Sequence, residues 1–292
     1  MRTHINEELC ENLISFYKSR PVGLECVAEK FGLCSITVSR ILKRNNIPLW
    51  SKTLIYNPDL NEHFFENIDS EHKAYFVGMI IADGNVFDPV NSKHHGEKWV
   101  SITLQDEDSY MLEEFRKDIG LSSIVASDGR GSSCVAARSD IMANYLEKYG
   151  IVPRKSFNTR FPFEIDSKFY RHVIRGIFDG DGSIHVGKYR TREGRIKNRH
   201  KMSFCGTKRL MDELVSTIME QTKIKTCPHV YSYKTRCLSE FRISNIEDMY
   251  EFGKWLYEDS TIFMKRKHDK FDSFVTKFNL KPVPVNPCFT ME

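Results

Sequence analysis

Apolar residues along this chain recur first at helical spacing and then at every second position, and the change of period happens twice. Residues 76–84 read FVGMIIADG, an apolar helix ending at Asp83-Gly84, and residues 174–182 read IRGIFDGDG, ending at Asp181-Gly182. After each motif the pattern alternates, with Val100, Ile102 and Leu104 in one copy and Met202 and Phe204 in the other, as expected of strands that bury one face. Helix-period segments follow at 109–119, with Met111, Leu112 and Phe115, and at 209–220, with Leu210, Leu214, Val215 and Ile218. Asp128-Gly129-Arg130-Gly131 and the polar run around Lys234-Thr235-Arg236 signal hairpin turns. Gly78, Asp83 and Gly84 recur 98 residues later as Gly176, Asp181 and Gly182, so the pattern predicts a duplicated helix, hairpin, helix, hairpin, helix unit.

Ahead of the repeats, Leu24 to Lys43 reads as a helix, a tight turn and a second helix. Ala28 suits a close helix approach, Gly32 suits a positive φ in the turn, and Val38 and Ile41 face the first helix. Ser35 is the expected N-cap of the second helix, whose outward residues are Ser35, Thr37, Ser39, Arg40, Lys43 and Arg44. This spacing resembles the DNA-binding helix-turn-helix family, which implies that the second helix enters the major groove. The Asn- and Pro-containing stretch beyond Trp50 reads as a linker. The expected organisation is a helical domain at 1–52, a linker at 53–66, two similar halves at 67–165 and 166–281, and a Pro-rich tail at 282–292.

Composition narrows the class without naming a function. The 43 Lys and Arg exceed the 39 Asp and Glu by only 4, so a nucleic-acid partner depends on where the charge sits. No signal-peptide core opens the chain and no apolar run reaches membrane-spanning length, so a soluble intracellular protein with no membrane partner is expected, in cytoplasm, nucleoid or an organelle matrix. The eight cysteines include no Cys-x-x-Cys pair, which argues against zinc or redox chemistry and for reduced thiols.

The motifs themselves carry chemistry. Gly78 and Ala82, like Gly176 and Gly180, lie four apart on one helix face, and such small-residue faces let two helices pack closely. Packed together, the helices would set Asp83 and Asp181 side by side at the negative ends of two helix dipoles, each followed by a glycine able to form a left-handed cap. A divalent cation relieves both the dipole penalty and the like-charge repulsion, and oxygen ligands beside phosphate suit Mg²⁺ or Mn²⁺. An EF-hand reading of residues 179–190 fails, because Ile184 stands where glycine is needed and Arg190 where glutamate is.

Both motifs resemble those of the LAGLIDADG homing endonucleases in their two-motif, single-chain form, over residues 67–281. The resemblance implies an α+β fold of tandem αββαββα repeats forming a pseudo-twofold DNA-binding saddle, here preceded by the small all-α helix-turn-helix domain. It implies metal-assisted hydrolysis of one phosphodiester per strand, with the acidic residues of the two motifs, Asp83 and Asp181, binding metal and Ala82 and Gly180 beside them as further metal-contacting positions. Ile81 departs from the aspartate usual at the sixth motif position, which Asp179 keeps. A lysine entering the last helix of each half maps onto Lys155 and Lys267, with Gln105 or Asp106 as lesser candidates for placing water.

Residues 188–201 hold seven Lys or Arg against the single Glu193, reading as a long hairpin tip with arginines suited to phosphates and guanine edges. Lys188, Tyr189, Arg190, Arg192, Arg195, Lys197, Arg199 and Lys201 are its expected DNA contacts, joined by Arg130 and by the outward strand positions Ser101, Thr103, Gln105, Ser183, His185, Ser203, Arg236 and Arg242. The equivalent first-half connection offers only Lys93, His94, His95 and Lys98, so the halves should read different half-sites of a long, non-palindromic duplex, with the protein a monomer. The alternatives are a catalytically inactive transcription regulator and an intron maturase using the same surface on RNA. Met1 and the final Phe289-Thr290-Met291-Glu292, without a His-Asn splice terminus, favour freestanding or intron-encoded expression over an intein.

Overall fold

Helical spacing in the first fifty residues closes three helices around a small core. The computed structural model describes residues 7–19, 22–50, 57–89, 97–233 and 238–289. It divides into two units, Met1–Asn61 with Ile119–Ile124, and Glu62–Asp118 with Val125–Glu292. In the first, α1 (Glu7–Ser19), α2 (Leu24–Phe31) and α3 (Ser35–Arg44) bury Leu13, Tyr17, Val27, Ala28, Val38, Ile41 and Leu42 against one another. Gly32 ends α2 at φ 62, the left-handed turn that a side chain would resist. Trp50 fastens the module by donating its backbone N–H to the Tyr17 hydroxyl (2.6 Å) and its indole N–H to the Tyr17 carbonyl (2.9 Å).

The N-cap of α3 is Cys34, not Ser35. Cys34 is extended (φ −94, ψ 152) and Ser35 is already helical, and Cys34 Sγ lies 3.1 Å from Thr37 Oγ1. The same unit includes a small knot of backbone in which Asn57 Oδ1 accepts from the amides of Ser122 (3.1 Å) and Ser123 (3.2 Å). Of the expected linker, 51–56 lies outside the described residues. Its far end is packed, since Phe64 and Phe65 are buried and meet the ring of Phe115.

The second unit contains the repeat. One half runs α4 (Glu71–Asp83), β1 (Gly84–Phe87), β2 (Trp99–Gln105), α5 (Ser109–Asp118), β3 (Ala126–Ser127), β4 (Ser132–Arg138) and α6 (Asp140–Lys148). The other runs α7 (Tyr170–Asp181), β5 (Ser183–Arg190), β6 (Ile196–Gly206), α8 (Lys208–Gln221), β7 (Val230–Ser232), β8 (Ser239–Ile243), α9 (Ile246–Tyr257) and α10 (Lys265–Lys277). Each sheet is antiparallel, in orders β1-β2-β4-β3 and β5-β6-β8-β7. Alternation sorts the faces: Val86, Val100, Ile102, Leu104, Val135 and Ala137 are buried in one sheet, and Ile184, Met202, Phe204, Phe241 and Ile243 in the other. The opposite face of each sheet stays open.

The expected tail is not a loose end. Its backbone pairs with residues 259–261, through Asp259 N to Pro284 O, Asn286 N to Ser260 O and Cys288 N to Thr261 O. Phe289 then packs against Tyr110 of one half and, edge-on, Phe263 of the other. Among the described residues no helix is long and apolar enough to cross a membrane.

Candidate active site

The two motif helices touch backbone to backbone. A Cβ on Gly78 would stand 2.0 Å from the Val173 carbonyl oxygen, and one on Gly176 would stand 2.1 Å from that of Tyr75. One on Gly180 would fall 2.5 Å from Ala82 Cβ and 2.6 Å from Asp83 Oδ2, so the Asp83 carboxylate rests against the last turn of α7. Glycine is therefore needed at Gly78, Gly176 and Gly180, where Ala82 completes the small-residue faces, and the consequence is that two acidic helix ends converge.

The glycines after the aspartates play a different part from the one expected. Gly84 (φ −88, ψ 165) and Gly182 (φ −77, ψ 166) are extended, not left-handed. Their requirement is space: a Cβ would meet Ile80 Cα at 2.5 Å in the first copy and Phe178 O at 2.4 Å in the second. The chain doubles back tightly from helix into strand, and a side chain would collide with the helix it has just left.

Burial raises the pKa of the Asp83 carboxyl. Asp181 keeps an open surface, yet the surrounding protein, and after it the charge of Asp83, push its carboxyl up to about 6 against the pull of Lys155 and Lys267. Both lysines are buried and clasp helix-end carbonyls. Lys155 Nζ donates to Ile81 O (2.7 Å) and Ala82 O (3.2 Å), and Lys267 Nζ to Phe178 O (3.3 Å) and Gly182 O. Burial lowers the pKa of each, that of Lys267 to about 8, while the nearby carboxylates act the other way. Each ammonium thus offsets the negative end of a helix dipole and stands within the field of the acidic pair.

The halves deliver these lysines differently. Lys267 is the third residue of α10, whose entry is fixed by Asp179: its carboxylate accepts from Met264 N (2.7 Å), Tyr75 Oη (2.8 Å) and Tyr257 Oη (3.2 Å). Lys155 arrives on a single 3-10 turn, Lys155–Phe157, and not at a helix entry as expected. Ile81, the counterpart of Asp179, is buried and apolar. The missing motif aspartate therefore belongs to the half without a helix entry for it to hold.

The donor set fits a hard divalent cation. Asp83 and Asp181 offer two crowded carboxylates whose repulsion a cation would relieve, with helix-end carbonyls at Ala82 and Gly180 as neighbouring oxygens. The Ala82 carbonyl already receives Lys155, so a cation there would share it. Among the described residues no group of three or more His, Cys, Asp or Glu side chains could hold a metal, and a cation bound by this pair would take its remaining oxygens from water, backbone or a phosphate ligand.

On the open faces, Thr103, Gln105, His185 and Arg199 are exposed, with Ser101 and Lys201 half-buried, and Arg130 is exposed in the turn between β3 and β4. Ser203, expected outward, is buried, because Ser183 and Arg242 flank it on the neighbouring strands. Asp106 accepts from the Ser133 hydroxyl (2.6 Å). Cross-strand pairing places His185 with Lys201 and Gly187 with Arg199 on the open face, whereas Lys188 and Arg190 fall on the alternate face and Arg192 and Arg195 in the connecting turn. Arg236, with Lys234 and Thr235, lies outside the described residues, as do Lys93, His94 and His95 and the side chains of Tyr189 and Lys197. In the helical unit Arg40, Lys43 and Arg44 are exposed and Ser35, Thr37 and Ser39 partly so, and they are joined by Ile36, 63% exposed, which the polar pattern did not single out.

Two charged residues were also missed. Arg175, on α7, is fully buried, donating to Ile262 O (2.8 Å), Leu256 O (2.7 Å), His172 Nδ1 (2.9 Å) and Glu71 of α4. Its signal was an arginine where the first motif has Val77. Glu240 lies nearly buried on the open face of the second sheet, and its signal was its place two residues before Arg242 in the alternating run 239–243.

No family model matches the chain. Among curated proteins it is 22% identical over 210 residues to the DNA-directed RNA polymerase subunit Rpo1C of Methanocaldococcus jannaschii, a match covering 70% of this chain but only 21% of that protein. Among solved structures it is similar to a lysine-to-alanine variant of I-SmaMI (14% identity, TM-score 0.53, 70% of this chain and 92% of that one). It is also similar to the LAGLIDADG homing endonuclease I-LtrWI bound to target DNA (14%, TM-score 0.52, 75% and 92%) and to the LAGLIDADG meganuclease I-AabMI bound to uncleaved DNA (12%, TM-score 0.52, 70% and 90%). The fold is that of the LAGLIDADG endonucleases.

Proposed function

We propose that the chain is a site-specific double-strand DNA endonuclease of the homing type, hydrolysing one phosphodiester in each strand of a long, non-palindromic duplex. The observation that carries this reading is the convergence of Asp83 and Asp181 at the ends of two helices whose glycines let the backbones touch. A purely structural helix pair gains nothing from two crowded carboxylates at negative dipole ends. The DNA-bound neighbours support the same partner for this chain.

Asp83 and Asp181, with Ala82 and Gly180, would hold Mg²⁺ or Mn²⁺. When bound, the metal supplies a Lewis acid that neutralises charge on the scissile phosphate. Lys155 and Lys267 stand beside the acidic pair, where a buried ammonium favours the extra negative charge of phosphodiester hydrolysis. Lys267, with its pKa lowered to about 8, can also exchange a proton near neutral pH. The protein binds the duplex as a monomer through the open sheet faces, and α3 reads a major groove through Ser35, Thr37, Ser39, Arg40 and Arg44, with Ile36 on a thymine methyl.

The test is selection of binding sequences from random duplexes, followed by cloning of the selected sequence into a supercoiled plasmid. Wild type with Mg²⁺ should linearise it. The Asp83→Asn, Asp181→Asn double variant should still bind and should not cut. Cutting by that variant would remove the aspartates from the mechanism, and binding without cutting by wild type would make the protein a DNA-binding regulator.

A further inference from the structure

On the open face of the second sheet, one carboxylate is surrounded by donors. Glu240 accepts from Arg242 through both Nε (2.7 Å) and Nη2 (2.8 Å), from Lys201 Nζ (3.0 Å) and from the Tyr233 hydroxyl (2.6 Å). Its side chain is 7% exposed, against 36% for Arg242. Hydrogen bonds from Arg242 outweigh burial and hold the Glu240 carboxyl far below the usual carboxylate range, so it is ionised at any working pH. With both oxygens occupied, Glu240 is not a contact for a ligand. It is a brace.

What it braces is a guanidinium. Arg242 spends its Nε–Nη2 edge on Glu240, its Nη2 also reaches the Tyr233 hydroxyl at 3.5 Å, and the Tyr231 ring lies 5.8 Å from its central carbon. Nη1 makes no hydrogen bond among the described residues. An arginine held along one edge presents its two-pronged Nη1/Nη2 end, with only the long Tyr233 contact to exchange, and that end matches the O6 and N7 acceptors of guanine in the major groove. Rotamer freedom that a loose arginine would lose on binding is already lost here.

The other half contains an internal comparison. Ser101 and Ser203 occupy equivalent places, each paired with the residue two beyond a motif aspartate, Asn85 and Ser183. Across the next strand Ser203 faces Arg242 and Ser101 faces Ala136, so Arg242, Glu240 and Lys201 correspond to Ala136, Cys134 and Trp99. Duplication kept the frame, and at these equivalent positions the braced cation stands in the second half while the first has Ala136, Cys134 and Trp99.

Resting on the endonuclease reading, we propose that Arg242, positioned by Glu240, is a specificity-determining residue that reads one guanine in the half-site under the second sheet, with no guanine reader at the symmetric position under Ala136. Glu240 is a positioning residue and touches no base.

The experiment is selection from random duplex DNA, sequenced after binding to wild type, Glu240→Gln, Arg242→Ala and Arg242→Lys. Wild type should prefer guanine at one position by about fivefold or more. Arg242→Ala and Glu240→Gln should lose that preference at that position and keep the rest of the consensus. Arg242→Lys should keep the salt dependence of affinity yet lose the guanine preference, because an ammonium lacks the fork. A consensus unchanged in all three variants overturns the proposal while leaving the endonuclease reading intact. A uniform loss at every position in Glu240→Gln, with unfolding by circular dichroism, makes Glu240 a fold residue, and the Arg242→Lys profile then decides the reader alone. Absence of any wild-type consensus overturns site-specific DNA recognition itself.

Discussion

A single imidazole shows how strongly the interface between the halves dictates protonation. His172 Nδ1 accepts a hydrogen bond from Arg175 Nη2 (2.9 Å), which only the neutral ring can do. Burial, and then the charge of Arg175, push its pKa down to about 3, with Glu71 acting in the opposite sense and Arg171 adding to the depression. The folded pKa lies below the ordinary value near 6.5. Stability from this site is therefore complete above about pH 6.5 and is lost progressively as pH falls toward 3. His172→Asn supplies a carbonyl acceptor that does not titrate, so its melting temperature should fall less than that of wild type between about pH 7 and about pH 5. Equal falls would place the acid sensitivity elsewhere.

Elements are positioned here by what glycine lacks. The α4–α7 crossing brings carbonyl oxygens to within 2.0–2.1 Å of where Cβ atoms would stand on Gly78 and Gly176. Gly176→Ala should force the helices apart and cost about 3 kcal/mol in denaturant unfolding, the upper end of overpacking penalties. Because the same contact spaces the two aspartates, DNA cleavage should fall further than stability alone explains, by about 100-fold at a temperature where the variant is folded. A folded variant with full cleavage would show that the carboxylate spacing is not critical. The helix entries follow the same logic of local need: Asp179 fixes α10 through Met264 N, and Ile81 has no such helix entry to fix.

At the scale of the whole second unit, a strap from the chain's end joins both halves. Residues 284–288 pair along 259–261, and Phe289 packs on Tyr110 and Phe263, one ring from each half. Phe289→Ala should lower stability by about 2 kcal/mol, less than a fully buried ring because this one is partly exposed. Differential scanning calorimetry gives the measurement. No change would mean that the strap follows the fold without supporting it.

Periodicity and duplication already indicated the two helices within 24–43, the repeated helix, hairpin, helix, hairpin, helix plan and the equivalent helix-end places of Asp83 and Asp181, because helix and strand periods are local and a repeat preserves spacing; α1 and the 3-10 turn that delivers Lys155 were not in the pattern. The positive φ at Gly32 and the small-residue faces were equally legible, since each follows from a missing Cβ. What the tertiary structure decided is everything that depends on which distant groups meet. Glu240 and Arg175 are charged residues in apolar or alternating runs, and nothing near them in sequence names Lys201, Tyr233 or Glu71 as partners. Gly84 and Gly182 proved to be needed for clearance and not for handedness, because the strand folds back over the helix it leaves. Local pattern fixes the period of a segment, whereas desolvation and hydrogen-bond closure are settled only when the segments pack.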